Sequence, residues 1–322
     1  MDSRLRVGIL GTGKLGTDLL IKVLRSPYLN CVLFAGRNGD SPGINKAREL
    51  GVSVSSDSIE AFDRVNVDLA FDVTNAEYHK IHAGYFAEKN IRAVDLTPAK
   101  VGPFCIPSVN PDLLQDHHNV NLVTCGGQAS IPLIQALSSV YRNVSWVKLT
   151  THLAEDSVGP ATLANLDEYY TTTALAVQEF TGVADVDVQL TVEKSAWKPD
   201  MYVDIRAGVE QADIHLLYPV LQQRLQDFRR YVPGYSVVGT PSYDNGELRL
   251  IASVRGSGDW IPGHAGNLDI INCAAVEIAN RYARFAMADL PEEEEKRFNV
   301  NSLLSRFNRK RASTETGGLA VE

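Results

Sequence analysis

Cys125 lies in the run Asn121-Leu122-Val123-Thr124-Cys125-Gly126-Gly127-Gln128-Ala129-Ser130-Ile131-Pro132. An apolar stretch leads into the thiol, two glycines follow it, and a helix-like apolar segment follows them. That order puts a sulfur at a strand-to-helix junction. Backbone N–H groups at a helix start stabilise negative charge and can lower a cysteine pKa, which makes a nucleophile. A buried, inert cysteine fits the same local pattern. A second signal separates the two readings. Arg6-Val7-Gly8-Ile9-Leu10-Gly11-Thr12-Gly13-Lys14-Leu15-Gly16 carries a strand into G-x-G-x-x-G, and a helical pattern follows. Gly11 would make the tight turn, Gly13 would admit a pyrophosphate, and Gly16 would let helix and strand pack closely. The helix start offers N–H donors to the phosphates. A redox dinucleotide in the same chain favours the reactive thiol over the inert one.

The second strand should end in a carboxylate if the cofactor is NAD, because that group holds the ribose 2′-OH. Here it ends Phe34-Ala35-Gly36-Arg37-Asn38-Gly39-Asp40-Ser41. A guanidinium at Arg37 can bind a 2′-phosphate that a carboxylate would repel. The residues therefore favour NADP use or tolerance, with an exposed Arg37 and Asp40 on the ribose as the alternative.

These groups need elements to hold them. Strand patterns occupy Arg6–Leu10, Cys31–Ala35, Leu69–Val73, Ala93–Leu96 and Val120–Thr124, with helical stretches near Asp18–Arg25, Gly43–Leu50 and Ala76–Glu88. This alternation predicts an α/β fold, a Rossmann-type doubly wound parallel sheet. Ligands bind at the carboxyl ends of such strands. Gly11, Thr74, Asn75, Thr97 and Cys125 all fall there and should converge on one crevice. Trp146–Ala154, Val186–Glu193, Tyr202–Ala207, Tyr235–Gly239 and Glu247–Val254 read as further strands, with a helix near Ala164–Phe180. They predict an α+β substrate and dimerisation domain. A long helix at Gly266–Ala288 would return to the first domain. The expected division is 1–131 with 266–288 for the dinucleotide, 132–265 for substrate and association, and a polar tail at 289–322.

The 322 residues are 44% hydrophobic and 22% charged, as in an ordinary globular protein. The net charge of −8 argues against nucleic acid as a partner. No apolar run reaches the roughly 18 residues of a membrane span, and no signal peptide is read. The cysteines at 31, 105, 125 and 273 form no C-x-x-C, and the seven histidines form no H-E-x-x-H. Free thiols, no metal and a cytoplasmic location are the expectations.

Across residues 5 to 282 the chain resembles the acetylating, CoA-acylating acetaldehyde dehydrogenases of meta-cleavage pathways. Four motifs in order carry the resemblance. They are Val123-Thr124-Cys125-Gly126-Gly127-Gln128-Ala129; Asp95-Leu96-Thr97-Pro98-Ala99 with Gly102-Pro103; Gly159-Pro160 followed by Ala164-Asn165-Leu166-Asp167-Glu168; and Gly258-Asp259 followed by Ala265-Gly266-Asn267-Leu268-Asp269-Ile270. The resemblance implies that Cys125 is the acyl-thioester nucleophile and Asp200 an assisting base. It implies cofactor contacts at Thr12, Gly13, Lys14 and Leu15, in the loop containing Ser157, Gly159, Pro160 and Asn165, and at Asn267. It also implies a small aldehyde as substrate, NAD or NADP as cofactor, coenzyme A as co-substrate, an aldolase partner and a homodimer or higher oligomer.

In that chemistry a thiolate adds to the aldehyde. The thiohemiacetal oxyanion, served by N–H groups near Gly126 and Gly127, expels hydride. CoA then takes the acyl group. The sequence departs from the family in the loop after Ala154. Glu155-Asp156 stand where Ser-Lys is usual, Ala161 replaces Gly and Leu163 replaces Arg, while Arg37-Asn38 replace Ile-Asp. Each cation lost from a phosphate contact removes about 1.5–3 kcal/mol. Release of the thioester to water or to a carrier-bound thiol, reductive aldehyde formation, and a non-catalytic subunit of an aldolase remain as alternatives.

Overall fold

A computed structural model describes residues 4–159, 163, 165–194 and 196–288; Pro160, Ala161 and the polar tail fall outside them. The first sheet is built from β1 (Leu5–Leu10), β2 (Leu29–Ala35), β3 (Val54–Ser55), β4 (Leu69–Asp72), β5 (Arg92–Asp95) and β6 (Asn119–Asn121). All its pairings are parallel, in the order β3-β2-β1-β4-β5-β6. The order reverses beside β1, which creates the crevice where doubly wound sheets bind ligands. Helices α1 (Lys14–Arg25), α2 (Pro42–Glu49) and α3 (Ala76–Glu88), with the short α4 (Leu113–Asp116), make the connections. The predicted strands recur within one or two residues at most ends, but β6 stops at Asn121 rather than Thr124. Val123 has φ 62°, in the left-handed region, so the chain turns out of the strand before the thiol.

Helix α5 (Cys125–Val140) leads into the second sheet. This sheet comprises β7 (Val144–Ala154), β8 (Asp185–Glu193), β9 (Met201–Val209), β10 (Tyr235–Asp244) and β11 (Glu247–Val254), in the order β10-β11-β9-β7-β8. Only the β7–β8 pair is parallel. Helices α5, α6 (Leu166–Thr181) and α7 (Ile214–Arg229) pack against it. Period-2 alternation explains the layering. Leu248, Leu250, Ala252 and Val254 of β11 are buried, and Arg249 points away from them to pair with Asp204 at 2.8 Å. The predicted reading left out α7. Its buried residues Leu217, Leu221, Leu225 and Phe228 have helical spacing, but Pro219 sits inside the helix.

Helix α8 (Gly266–Ala288) packs back on α1 and α5. One ionic cluster fixes it there. Lys22 of α1 is buried and lies 2.8 Å from Asp269 of α8, 2.9 Å from Asp259 and 3.3 Å from Asp18. Burial opposes its charge, but Asp269 and Asp18 outweigh burial and raise its pKa. The carboxylates are themselves tied down. Asp18 accepts from the Trp260 amide at 3.1 Å and from Asn272 Nδ2 at 3.0 Å, and Arg25 reaches Asp259 at 2.7 Å. No helix among the described residues is long and apolar enough to cross a membrane.

Candidate active site

The glycine turn has a separate reason for each glycine. Gly11 has φ 119°, and a Cβ there would lie 2.7 Å from the Val73 carbonyl oxygen. A Cβ on Gly16 would lie 1.9 Å from the Gly11 oxygen, so this glycine permits helix and strand to touch. A Cβ on Gly13 would meet nothing within 4 Å. The space above Gly13 is open, as a backbone approached by a ligand requires. The first intrahelical bond of α1 runs from Thr17 N–H to Gly13 O at 2.9 Å. The amides of Lys14, Leu15 and Gly16 therefore have no helix partner and can meet an anion.

A cleft of about 670 Å³ opens beside this turn, lined by Gly11, Thr12, Gly13, Arg37, Asn38, Thr74 and Asn75 among others. These residue types and the bare Gly13 fit a dinucleotide. Arg37 lies over the Tyr78 ring at 5.1 Å and donates to its hydroxyl at 3.2 Å, which holds the guanidinium at the cleft. Asn38 Oδ1 accepts from the Asp40 amide at 3.0 Å. Asp40 is not among the residues lining this cleft. Asn75 caps α3, its Oδ1 accepting from the Tyr78 amide at 3.0 Å. Lys14 lines a neighbouring chamber with Thr17, Ser41 and Trp260.

Cys125 is the first residue of α5, and Thr124 is its N-cap. Thr124 Oγ1 accepts from the Gly127 amide at 3.0 Å. Gly127 is thereby committed to the cap, which corrects the expectation that it serves an oxyanion. The amides of Cys125 and Gly126, at the start of α5, favour negative charge on the sulfur. Gln128 Nε2 donates to the carbonyls of Cys105 and Leu122, fastening the helix start to the preceding turn. Cys125 lines a cavity of about 130 Å³ with Leu15, Thr97, Asn165, Tyr169 and Asn267. Thr74 and Asn75 line both this cavity and the dinucleotide cleft. Among its described lining residues only Cys125 and Tyr169 are ionisable. The residue is half-buried. Burial pushes the thiol up to about 11, against hydrogen bonds from Tyr169 and the two amides. The helix start does favour the thiolate, as predicted, but desolvation is larger in the resting protein.

Behind the cavity, pairing aligns Asp72, Asp95 and Asn121 side by side at the ends of β4, β5 and β6. All three are fully buried. Asn121 Nδ2 donates to Asp95 at 2.6 Å and to the Thr97 carbonyl at 2.8 Å, and its Oδ1 accepts from the Val123 amide at 2.8 Å. Asp72 contacts His79 at 2.9 Å and His82 at 2.7 Å. These histidines are buried partners of the strand-end carboxylates and do not line the cysteine cavity.

Asn267 is buried inside α8, with Nδ2 donating to the Ser157 carbonyl at 2.9 Å. It is therefore not a helix cap. Its Oδ1 is buried with no partner among the described residues, leaving an acceptor for a bound group. The Ser157 hydroxyl donates to the Ala154 carbonyl at 2.8 Å, so this residue touches the site through its backbone. A Cβ on Gly159 would meet nothing within 4 Å, and Pro160 lies outside the described residues. Asp200 precedes β9 and is not among the residues lining the cysteine cavity. Its carboxylate accepts from Arg255 Nη1 at 2.9 and 3.3 Å. Asp156 is held by Lys198 at 2.5 Å and His264 at 2.9 Å. The anion that replaces a cation in this loop is thus compensated by its neighbours.

Tyr169 is the site residue that sequence reasoning passed over. It immediately follows Asn165-Leu166-Asp167-Glu168, and no local spacing links it to Cys125, because α6 brings it in from a distance.

Residues 125–262 match the family model for the prokaryotic acetaldehyde dehydrogenase dimerisation domain, and residues 6–117 match the semialdehyde dehydrogenase NAD-binding domain. The chain belongs to the acetaldehyde dehydrogenase family. An acetaldehyde dehydrogenase of Spirochaeta aurantia is 45% identical over 88% of this chain and 96% of its own length. One from Pectobacterium atrosepticum is 42% identical over 86% and 95%. Among solved structures, aspartate semialdehyde dehydrogenase II of Vibrio cholerae in complex with ASA shares the fold. Its TM-score is 0.63 at 16% identity, over 87% of this chain and 99% of that one. The family's two domain models meet at the cavity, since one ends before Cys125 and the other begins on it.

Proposed function

We propose that this protein is an NAD(P)-dependent acylating aldehyde dehydrogenase. Cys125 adds to the carbonyl of a small aldehyde, the adduct is oxidised to a thioester, and the acyl group passes to the thiol of coenzyme A. One observation carries this reading: Cys125, at the first turn of α5, lines an apolar cavity that shares Thr74 and Asn75 with the glycine-lined cleft. The dinucleotide, when bound, supplies the hydride acceptor.

The chain's own residues supply the rest. The bare Gly13 and the unpartnered amides of Lys14, Leu15 and Gly16 receive the pyrophosphate. Asn267 Oδ1 accepts from the bound cofactor. The Gly126 amide donates to the oxygen on which charge develops. The apolar walls exclude water that would otherwise hydrolyse the thioester. Asp200, outside the cavity, serves as base for the incoming thiol. The half-closed cavity suits an aldehyde passed from an aldolase partner without release. The match to a dimerisation domain supports association with a second copy, in the cytoplasm. The test is mass spectrometry after aldehyde and NAD(P) are added without an acceptor. An acyl adduct on the Cys125 peptide, discharged by coenzyme A, supports the reading. Turnover that survives Cys125→Ala overturns it.

Arg37 favours NADP as the dinucleotide. It stands where the carboxylate for a ribose 2′-OH would be, lines the cleft and is steadied by Tyr78.

A further inference from the structure

We propose that Tyr169 is a second catalytic residue: its hydroxyl donates to the Cys125 sulfur, sustains the thiolate, and follows the charge to the carbonyl oxygen as the carbon–sulfur bond forms. The proposal deepens the acylating reading and rests on it for the second of these steps.

Three features of the site carry it. First, the described lining of the cavity holds no Asp, Glu, His, Lys or Arg, so an anion at Cys125 has no cationic partner there. Hydrogen-bond donors must hold the charge instead. The Gly127 amide is already committed to Thr124. Tyr169, a residue 4% exposed, lines the same cavity as Cys125, and its hydroxyl lies against Gly126 in the first turn of α5, which places a side-chain donor beside the nucleophile.

Second, the packing is built around that hydroxyl. A Cβ on Gly126 would lie 2.3 Å from Tyr169 Oη and 2.6 Å from Thr151 Oγ1. Gly126 is not among the positive-φ residues, so its backbone conformation does not demand glycine. The close approach of two buried hydroxyls to the first turn of α5 does demand it.

Third, the donor can turn. Tyr169 Oη is 3.0 Å from Thr151 Oγ1, and both side chains are buried. One phenolic proton has two acceptors, the threonine oxygen and the sulfur. Beside a neutral thiol it points to Thr151. Beside a thiolate it turns to sulfur, and the Thr151 hydroxyl turns to donate to the phenolic oxygen. Charge-assisted hydrogen bonds are the stronger ones, so the rotation favours the ionised nucleophile. When sulfur attacks, its electron pair forms the new bond and the carbonyl π pair moves to oxygen. That oxygen is one bond beyond the carbon on sulfur, within reach of the same rotating donor. The backbone of α6 fixes the ring further. Thr173 Oγ1 donates to the Tyr169 carbonyl at 2.7 Å and sits 2.7 Å from the cap residue Thr124.

The experiment measures the rate of iodoacetamide alkylation of the full-length protein against pH, read at the Cys125 peptide by mass spectrometry. Tyr169→Phe removes one oxygen and keeps the ring. Its pH midpoint is expected to rise by about one unit or more, a tenfold slower reaction below the midpoint. Its dinucleotide affinity is expected to stay as in the parent, its melting temperature to fall by only a few degrees with the lost Thr151 contact, and acyl-enzyme formation to slow about tenfold or more. A midpoint unchanged in Tyr169→Phe overturns the proposal. Alkylation needs neither aldehyde nor turnover. If the protein proves to have no acylating activity, the midpoint still decides whether Tyr169 sustains the thiolate.

Discussion

Asn121 holds Val123 in its turn: the Asn121 Oδ1 accepts the Val123 amide at 2.8 Å, and Val123 keeps φ 62°, a conformation a β-branched residue rarely adopts. Such a conformation costs on the order of 1–3 kcal/mol and persists only where its surroundings over-determine it. Asn121→Ala removes that restraint and leaves the Asp95 carboxylate short of a buried partner. Denaturant unfolding should show a loss of roughly 1.5–3 kcal/mol, the range for a hydrogen bond to a charged group. Where the variant is folded at low denaturant, kcat should fall more than dinucleotide affinity.

Gly126→Ala places a methyl group against the Tyr169 and Thr151 hydroxyls. The first turn of α5 or the start of α6 must shift, and the sulfur shifts with it. A displacement of about 1 Å at a reacting group costs on the order of a hundredfold in rate. Steady-state kcat with aldehyde, NAD(P) and coenzyme A checks this, with circular dichroism to show that the helices remain.

His79 gives stability a pH dependence. Burial disfavours its charge, but the hydrogen bond to Asp72 and the charges of Asp95 and Asp72 win and raise its pKa. His82 and Asn119 complete its surroundings. A group whose folded pKa is raised contributes fully below its unfolded value, about 6.5, and loses that contribution as pH rises through the folded value. The melting-temperature advantage of the parent over His79→Gln should therefore be largest near pH 6.5 and shrink toward pH 9. An advantage that grows across this interval would contradict the assignment.

Arg37→Asp should lower the ratio of kcat/KM for NADP to that for NAD. One charge-assisted contact to a 2′-phosphate amounts to about 1.5–3 kcal/mol, or roughly ten- to a hundredfold. Initial rates with each cofactor measure the ratio, and an unchanged ratio would remove Arg37 from cofactor choice.

Asp200→Asn should split the reaction in two. Because Asp200 lies outside the lining of the cysteine cavity, the pre-steady-state burst of reduced cofactor should persist. Transfer to coenzyme A should slow by the 10²–10⁴-fold typical of a lost general base. Loss of the burst itself would mean that Asp200 acts on Cys125.

Local spacing made much of this molecule legible. The glycine turn and the cysteine at a helix start each depend on residues within one supersecondary unit and lie where that reading put them, while the single crevice expected at the strand ends is two adjoining cavities that share Thr74 and Asn75. Two kinds of feature escaped. Val123 reads as strand by its side chain, and only the Asn121 contact turns its backbone left-handed. Tyr169 reaches Cys125 through the packing of α6 against α5, a long-range result with no trace in sequence spacing. The missing Gly126 side chain was its sole local signal. The thiol's raised pKa was invisible for a similar reason: helix position is local, but burial depends on the whole fold.

The cluster around Lys22 has a mechanical consequence. It fastens α1, the loop carrying Asp259 and the start of α8 at one buried point. The residues just past that point on each element, Leu15 of α1 and Asn267 of α8, line the cysteine cavity. The cluster is therefore a rivet: the buried charges that join the two helices and the loop also hold two walls of the nucleophile's cavity in register with each other.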